Sequence, residues 1–304
     1  MRQSILLTAV LSALSFAQVS YAAEEAKEEA SSWDATANIG FVSDYYFRGL
    51  SQTWHKPTVQ GGVDITHSSG FYAGIWGSGV TPNTYPDANT EIDVYAGYNG
   101  SIPAVEKLGY TVGIYSYMYP GGSWKKYDGL TADQGKKSGG KWDTTELNFG
   151  LSYDWISAKV SYSLTDWFGA EKETGWDGST KGSTYFELNA AYPLPWWDLT
   201  LIAHVGRMNV AGKLQASGFP TANGAPGTYE TNPDYTDWKL GLSKAFSIGK
   251  SEGWNAGLYW VEASNDRYWG GGYGGTSFSR SINGTTETKD LNDGRFVLTL
   301  GRTF

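Results

Sequence analysis

Three glutamates are each followed two positions later by another polar side chain: Glu91-x-Asp93, Glu146-x-Asn148 and Glu187-x-Asn189. Carboxylates spaced this way could act as general acid and base, hold a cation, or set the charge of a polar wall. The chain also has three histidines, His55, His67 and His204, and no cysteine. A barrel hydrolase would need a base beside its nucleophile, and no histidine lies in a serine-containing nucleophile motif. No Cys/His cluster has metal-ligand spacing, so neither a metal nor a cofactor is expected and catalysis is the weakest of the readings. The spacing of two decides how the carboxylates are read. In an extended strand residues i and i+2 share a face, so each pair falls on one wall, where it needs no acid/base role.

Alternation with period two runs through the chain from Trp33 onward. In TANIGFVSDYYFRG, Ala37, Ile39, Phe41, Tyr45 and Phe47 fall on one face, and Asn38, Gly40, Asp44, Tyr46 and Arg48 on the other. In EIDVYAGYNG, Ile92, Val94, Ala96 and Tyr98 oppose Glu91, Asp93, Tyr95 and Asn99. Leu147, Phe149, Leu151, Val160, Tyr162 and Leu164 likewise oppose Glu146, Asn148, Lys159 and Ser161. About twelve such segments of about ten residues are present, the length of a tilted strand crossing a bilayer. The connectors alternate. Tight links near Ser69, NGSIPAVEKLG, Asp154 to Trp155, PLPWW and SIGKSEG take turns with wide ones, among them Pro120 to Trp142, Asn209 to Asp234 and Asn265 to Asn292. An up-and-down antiparallel barrel with short periplasmic turns and long outer loops predicts this order, whereas a soluble sandwich does not. The expected fold is therefore all-β, a transmembrane barrel of about 12 strands over residues 34–304. A hairpin cannot bury an apolar face alone, and closure removes the free edges.

The first 22 residues carry Arg2, an apolar run from Ile5 and small residues at Ser20 and Ala22, and read as a secretory signal. Residues 23–33 form an acidic tail. Aromatics make up 15% of the chain, with 14 Trp and 21 Tyr, too many interface-seeking rings for an ordinary soluble domain. They are expected in two girdles. Tyr98, Tyr153, Trp155, Tyr192, Trp196, Trp197, Trp254 and Phe304 would mark the periplasmic ends, and Tyr46, Phe47, Tyr119, Trp167, Phe186, Trp238 and Trp260 the other rim. In the closing RFVLTLGRTF, Phe304 would sit at the inner interface with Arg302 reaching the headgroups. A net charge of −8 leaves no footprint for nucleic acid.

At FVSDYYFRGLSQT, KPTVQGGVDITHSSGFYAGIWGSGV and EIDVYAGYNG the sequence resembles the porins of the TorF-like family of Gram-negative bacteria. The resemblance extends from about Asp34 to Phe304, strongest at Phe47 to Gln52, Gln60 to Gly62 and Ser69 to Gly74. It implies an outer-membrane barrel surrounded by lipid, with Phe304 as the signal read by the barrel-assembly machinery. Arg302, at the third position from the end, departs from the usual apolar or aromatic residue there.

If the apolar faces meet lipid, parity places Asp44, Arg48, Gln60, Asp64, Glu91, Asp93, Tyr95, Tyr115, Tyr117, Glu146, Asn148, Lys159, Glu187, Asn189, His204, Lys239 and Arg295 inside. Two interiors fit these residues. They could line a wet passage for small polar solutes, favouring cations or neutral solutes because acids outnumber bases. Alternatively, Glu91, Glu146 and Glu187 pair with Arg48, Lys239 or Arg295 and fill the barrel. A closed barrel that binds saccharide is a third expectation, since the loop from Tyr268 to Phe278 mixes glycine with aromatics.

Overall fold

The computed structural model describes residues 32–124, 140–174, 176–214, 232–269, 279–282 and 285–304. The expected signal segment, nearly all of the acidic tail, and residues 125–139, 215–231 and 270–278 of the widest connections lie outside them. The strands are β1 Trp33–Val42, β2 Tyr46–Phe47, β3 Leu50–Ser51, β4 Thr58–His67, β5 Phe71–Gly79, β6 Thr90–Ser101, β7 Leu108–Met118 and β8 Thr144–Tyr153. They continue with β9 Ile156–Ser163, β10 Thr184–Pro193, β11 Leu199–Asn209, β12 Tyr235–Ile248 and β13 Ser251–Ala263. A single helical turn, α1 Asp266–Trp269, then precedes β14 Ser279–Ile282, β15 Thr285–Thr288 and β16 Arg295–Thr303.

Twelve of these strands, β1, β4 to β13 and β16, form one closed antiparallel barrel. β16 seals it by pairing with both β13 and β1, Phe41 lying opposite Leu300 and Asn38 opposite Thr303. Closure gives every wall strand two hydrogen-bonded neighbours, the condition for placing backbone in hydrocarbon. The tight connections are as expected. Asp154 and Trp155 alone link β8 to β9, with Asp154 at φ 53°, and Gly249 and Lys250 alone link β12 to β13, with Gly249 at φ 61°. The wide connections, β2–β3 and β14–β15 among them, gather at the opposite end.

Outside, alternate residues form an apolar belt. Leu242, Leu258 and Leu298 sit side by side on β12, β13 and β16, all exposed. Inside, exposure is graded along the strands. On β1 the inward Val42 is buried, Asn38 half-buried and Asp34 exposed; on β4 the sequence is Gln60 buried, Asp64 half-buried, Thr66 exposed. Glu91, Asp93, Tyr95, Asn99 and Ser101 repeat it down β6. The interior is thus a cup, open toward the tight turns and filled toward the wide loops.

The filling comes from one departure from strict alternation. β1 leaves the wall at Val42, and residues 43–57 turn inward instead of continuing the strand. Tyr45 and Phe47, expected on the lipid face, are buried in the interior together with Tyr46, Leu50 and Trp54. Phe47 packs edge-on against Tyr117 and against Phe168, and Tyr85 stacks on Tyr119 at 4.1 Å. Farther out, Trp124 stacks on Trp142 at 4.0 Å, and Trp167 meets Trp176 and Trp269. Of the expected outer girdle, therefore, Phe47, Tyr119 and Trp167 belong to this buried cluster and Tyr46 to a smaller one with Tyr259, Val261 and Val297, whereas Phe186, Trp238 and Trp260 are exposed. At the tight-turn end Tyr153, Trp155, Tyr192, Trp196, Trp197 and Phe304 are exposed as expected, and Tyr98 and Trp254 half-buried.

Glycine on the inner wall makes room for tyrosine. A Cβ on Gly74 would stand 2.5 Å from the ring of Tyr95, its direct partner across β5 and β6. Tyr95 lies flat there and stacks on Tyr115 at 5.0 Å.

Candidate functional site

The candidate site is the polar interior below and around the in-folded segment. That segment is built on Asp44. Its Oδ1 accepts hydrogen bonds from the hydroxyls of Ser51 (2.7 Å) and Thr53 (2.9 Å), and its Oδ2 lies 2.7 Å from His55 Nδ1. His55 Nε2 reaches the carbonyl of Asp290 at 2.9 Å, which ties the segment to the last wide loop. Arg48, at φ 48°, forms a bidentate pair with Glu146 on β8 at 2.8 and 2.7 Å, both side chains buried. Its guanidinium also lies over the rings of Phe47 and Tyr185, 4.8 and 4.3 Å from their centroids. The next residue, Gly49, has φ 75° and presses against β12 and β13, where an added Cβ would meet the side chains of Asp237 and Ala263.

A second network joins β9 to β12. Lys159 Nζ is 2.8 Å from Glu187 Oε1. His204 Nδ1 is 2.6 Å from Asn189 Oδ1, and its Nε2 is 2.9 Å from Asp237 Oδ2. The Tyr185 hydroxyl donates to Asp237 at 2.9 Å. Lys239 lies over the ring of Tyr259 at 5.1 Å. A tyrosine, a histidine and an aspartate in mutual contact look like proton-transfer machinery, but they sit fully packed beneath Gly49 beside a cavity of ≈ 40 Å³. That holds water and little else.

The third group lies at the wide-loop end of β6, against the connections on either side and the in-folded segment. Glu91 Oε1 accepts from the Tyr119 hydroxyl at 2.9 Å, and Tyr85 donates to Gln52 Oε1 at 2.5 Å. On β4 and β6 Asp64 accepts from Tyr95 at 2.5 Å. Burial, with Glu91 beside them, pushes the phenols of Tyr45 and Tyr85 well above the ordinary tyrosine value, so both remain neutral donors.

The structure thus brings nearly all the sequence-derived interior candidates together. Gln60, Tyr115, Tyr117 and Asn148 are buried on the inner wall, the last within hydrogen-bonding contact of Ser161. Glu146 takes Arg48, one of the partners expected for it. Glu187 takes Lys159 instead of Lys239 or Arg295, because Lys159 is its direct register partner across β9 and β10. Arg295 is not inside: it begins β16 at the wide-loop rim, exposed, 3.8 Å from Asp293. His67 stays at its tight turn, its ring tilted against that of Trp33 with centroids 4.7 Å apart. Phe304, exposed, continues the wall beyond β16 through two backbone hydrogen bonds with Ala37, and Arg302 lies over its ring at 4.3 Å. Sequence reasoning missed Asp237 and Tyr185. Both were reachable by parity, Asp237 from Lys239 and Tyr185 from Glu187. The glycine-rich segment proposed for saccharide contact, from Tyr268 to Phe278, lies almost wholly outside the described residues.

Fold and interior together define a transmembrane β-barrel with a polar, internally braced lumen. Residues 26–304 match the family described as a bacterial protein of unknown function (Gcw_chp), and the chain belongs to that family. Comparison with curated proteins gives no match. Among solved structures the chain is similar to the KdgM porin, with a TM-score of 0.42 and 8% identity over 88% of this chain and 99% of that one. It is also similar to the NanC porin, with a TM-score of 0.43 and 12% identity over 89% and 99%. For the outer membrane protein OprD from Pseudomonas aeruginosa the TM-score is 0.34, with 13% identity over 82% and 59%.

Proposed function

We propose that this chain is a porin-type channel of the Gram-negative outer membrane, passing small polar solutes, and that the segment 43–57 sets its narrowest point. In this reading residues 1–22 direct export and no catalytic step is involved. The observation that carries it is the graded lumen, a polar cup that deepens from the tight turns and ends against one in-folded, ion-paired segment. The resemblance to TorF-like porins points the same way.

Charge supports a preference for cations or neutral solutes. Among the described interior side chains, Asp44, Asp64, Glu91, Asp93, Glu146, Glu187 and Asp237 outnumber Arg48, Lys159 and Lys239. Low-dielectric walls amplify such an imbalance. The test is reconstitution into planar bilayers under a KCl gradient. Stepwise currents reversing on the cation side are expected, with the preference lost in E91Q/E146Q/E187Q. Absence of steps both in the native protein and in a variant with the in-folded segment released would sink the channel, and saccharide-dependent tryptophan quenching would then favour a closed binder.

A further inference from the structure

The interior carboxylates differ in their company. Glu146 faces Arg48, Glu187 faces Lys159, Asp237 faces His204 and Asp44 faces His55. Glu91 and Asp93 make no ion pair with a basic side chain among the described residues. Both point inward from β6, two residues apart, 0% and 5% exposed. Glu91 takes the Tyr119 hydroxyl on Oε1 and also meets the Tyr45 phenol, leaving Oε2 without a well-aligned partner, and Asp93 Oδ1 is buried with no hydrogen-bond partner. Asp93 also feels the like charges of Glu91 and Glu146. Sealing two adjacent carboxylates from water with open oxygens is among the costliest arrangements a protein can hold, unless a proton or a bound cation neutralises them.

The surroundings say which kind of charge. Across the sheet, Ser78 pairs with Glu91, and Tyr117 with Asp93. From the in-folded segment Tyr45 lies against Glu91, and from the next wide loop so does Tyr85. The available donors are therefore carboxylate and hydroxyl oxygens, the set that suits hard cations and not soft ones. No third histidine or carboxylate completes a cluster among the described residues, so neutral oxygens would fill the shell. We propose that Glu91 and Asp93 bind a hard metal cation, alkali or alkaline-earth, between β6 and the in-folded segment. The site pins that segment beside the Arg48–Glu146 pair, on the adjoining strands β6 to β8, and it does so whether or not the barrel conducts.

The experiment is thermal unfolding of the full chain in detergent, followed by tryptophan fluorescence and heat-modifiable mobility. Choline chloride is compared with NaCl, KCl, MgCl2 and CaCl2 at matched ionic strength. At least one metal chloride is expected to raise the midpoint saturably, and E91Q/D93N to lose that shift while keeping its folded mobility. Should the double variant not fold, D93N alone is expected to need a higher metal concentration for the same shift. Equal midpoints for the native protein in choline and in every metal salt would overturn the proposal, as would a shift that either variant leaves intact. Neither result bears on conductance, so this site and the channel reading fail separately.

Discussion

Arg48 and Glu146 meet across 98 residues of chain with both side chains out of water, 5% and 2% exposed. Burying such a pair costs most of what the pairing returns, but removing one partner strands the other. R48M should therefore destabilise the barrel by roughly 3–5 kcal/mol in urea titrations of tryptophan fluorescence, and R48M/E146L should recover a large part of the loss. If the double variant is as weak as the single one, the guanidinium acts through its ring contacts and not through the ion pair. Parity alone placed Glu146 on the inner wall. It could not choose among the bases, because the choice depends on the path of a loop: Arg48 reaches Glu146 only after residues 43–57 have turned inward. Glu187 was the opposite case, its partner Lys159 being fixed by strand register, a quantity that period two leaves open.

At the level of elements the in-folded segment is the feature that alternation misread. Tyr45 and Phe47 continue the apolar phase of Ile39 and Phe41, and a hydrophobicity pattern does not tell hydrocarbon from a protein-filled lumen. The cue lay in Gly49, the residue that turns most readily at positive φ, directly after an inward-phase charge at Arg48. Gly49 holds φ 75° with Ala263 Cβ 2.8 Å from where its own Cβ would be. G49A therefore pays twice, in backbone conformation and in space against β12 and β13. We expect a loss of about 1–3 kcal/mol, and protease cleavage within 43–57 that the native protein resists. Bilayer recordings of the same variant should show larger or more frequent openings, because the segment is lifted from the wall and not removed. Conductance and protease sensitivity unchanged by G49A would mean that the segment is not the constriction.

At the scale of the whole molecule, twelve strands and their order were legible because two signals agreed: segments of about ten residues with alternating polarity, and connectors that are tight and wide by turns. Both follow from crossing a slab of fixed thickness with both faces wet. What the sequence left open was how the inside is filled: parity placed Tyr95 on the inner wall, but not that its ring lies over the bare Gly74 of the neighbouring strand. The belt itself makes a depth-dependent prediction. Leu258 lies mid-strand, flanked by Leu242 and Leu298, whereas Val59 lies one residue from the wide-loop end of β4; both side chains face outward and are exposed. An arginine costs roughly 2–4 kcal/mol at the bilayer midplane and about 0–1 near the interface, where its long stem reaches the headgroups. L258R should accordingly lower folding free energy in lipid vesicles by several times more than V59R, while in detergent micelles, which have no fixed thickness, the two should converge. Equal costs in vesicles would place Leu258 outside the hydrocarbon core and shift the membrane along the barrel, taking with it the assignment of which end of the cup opens to which side.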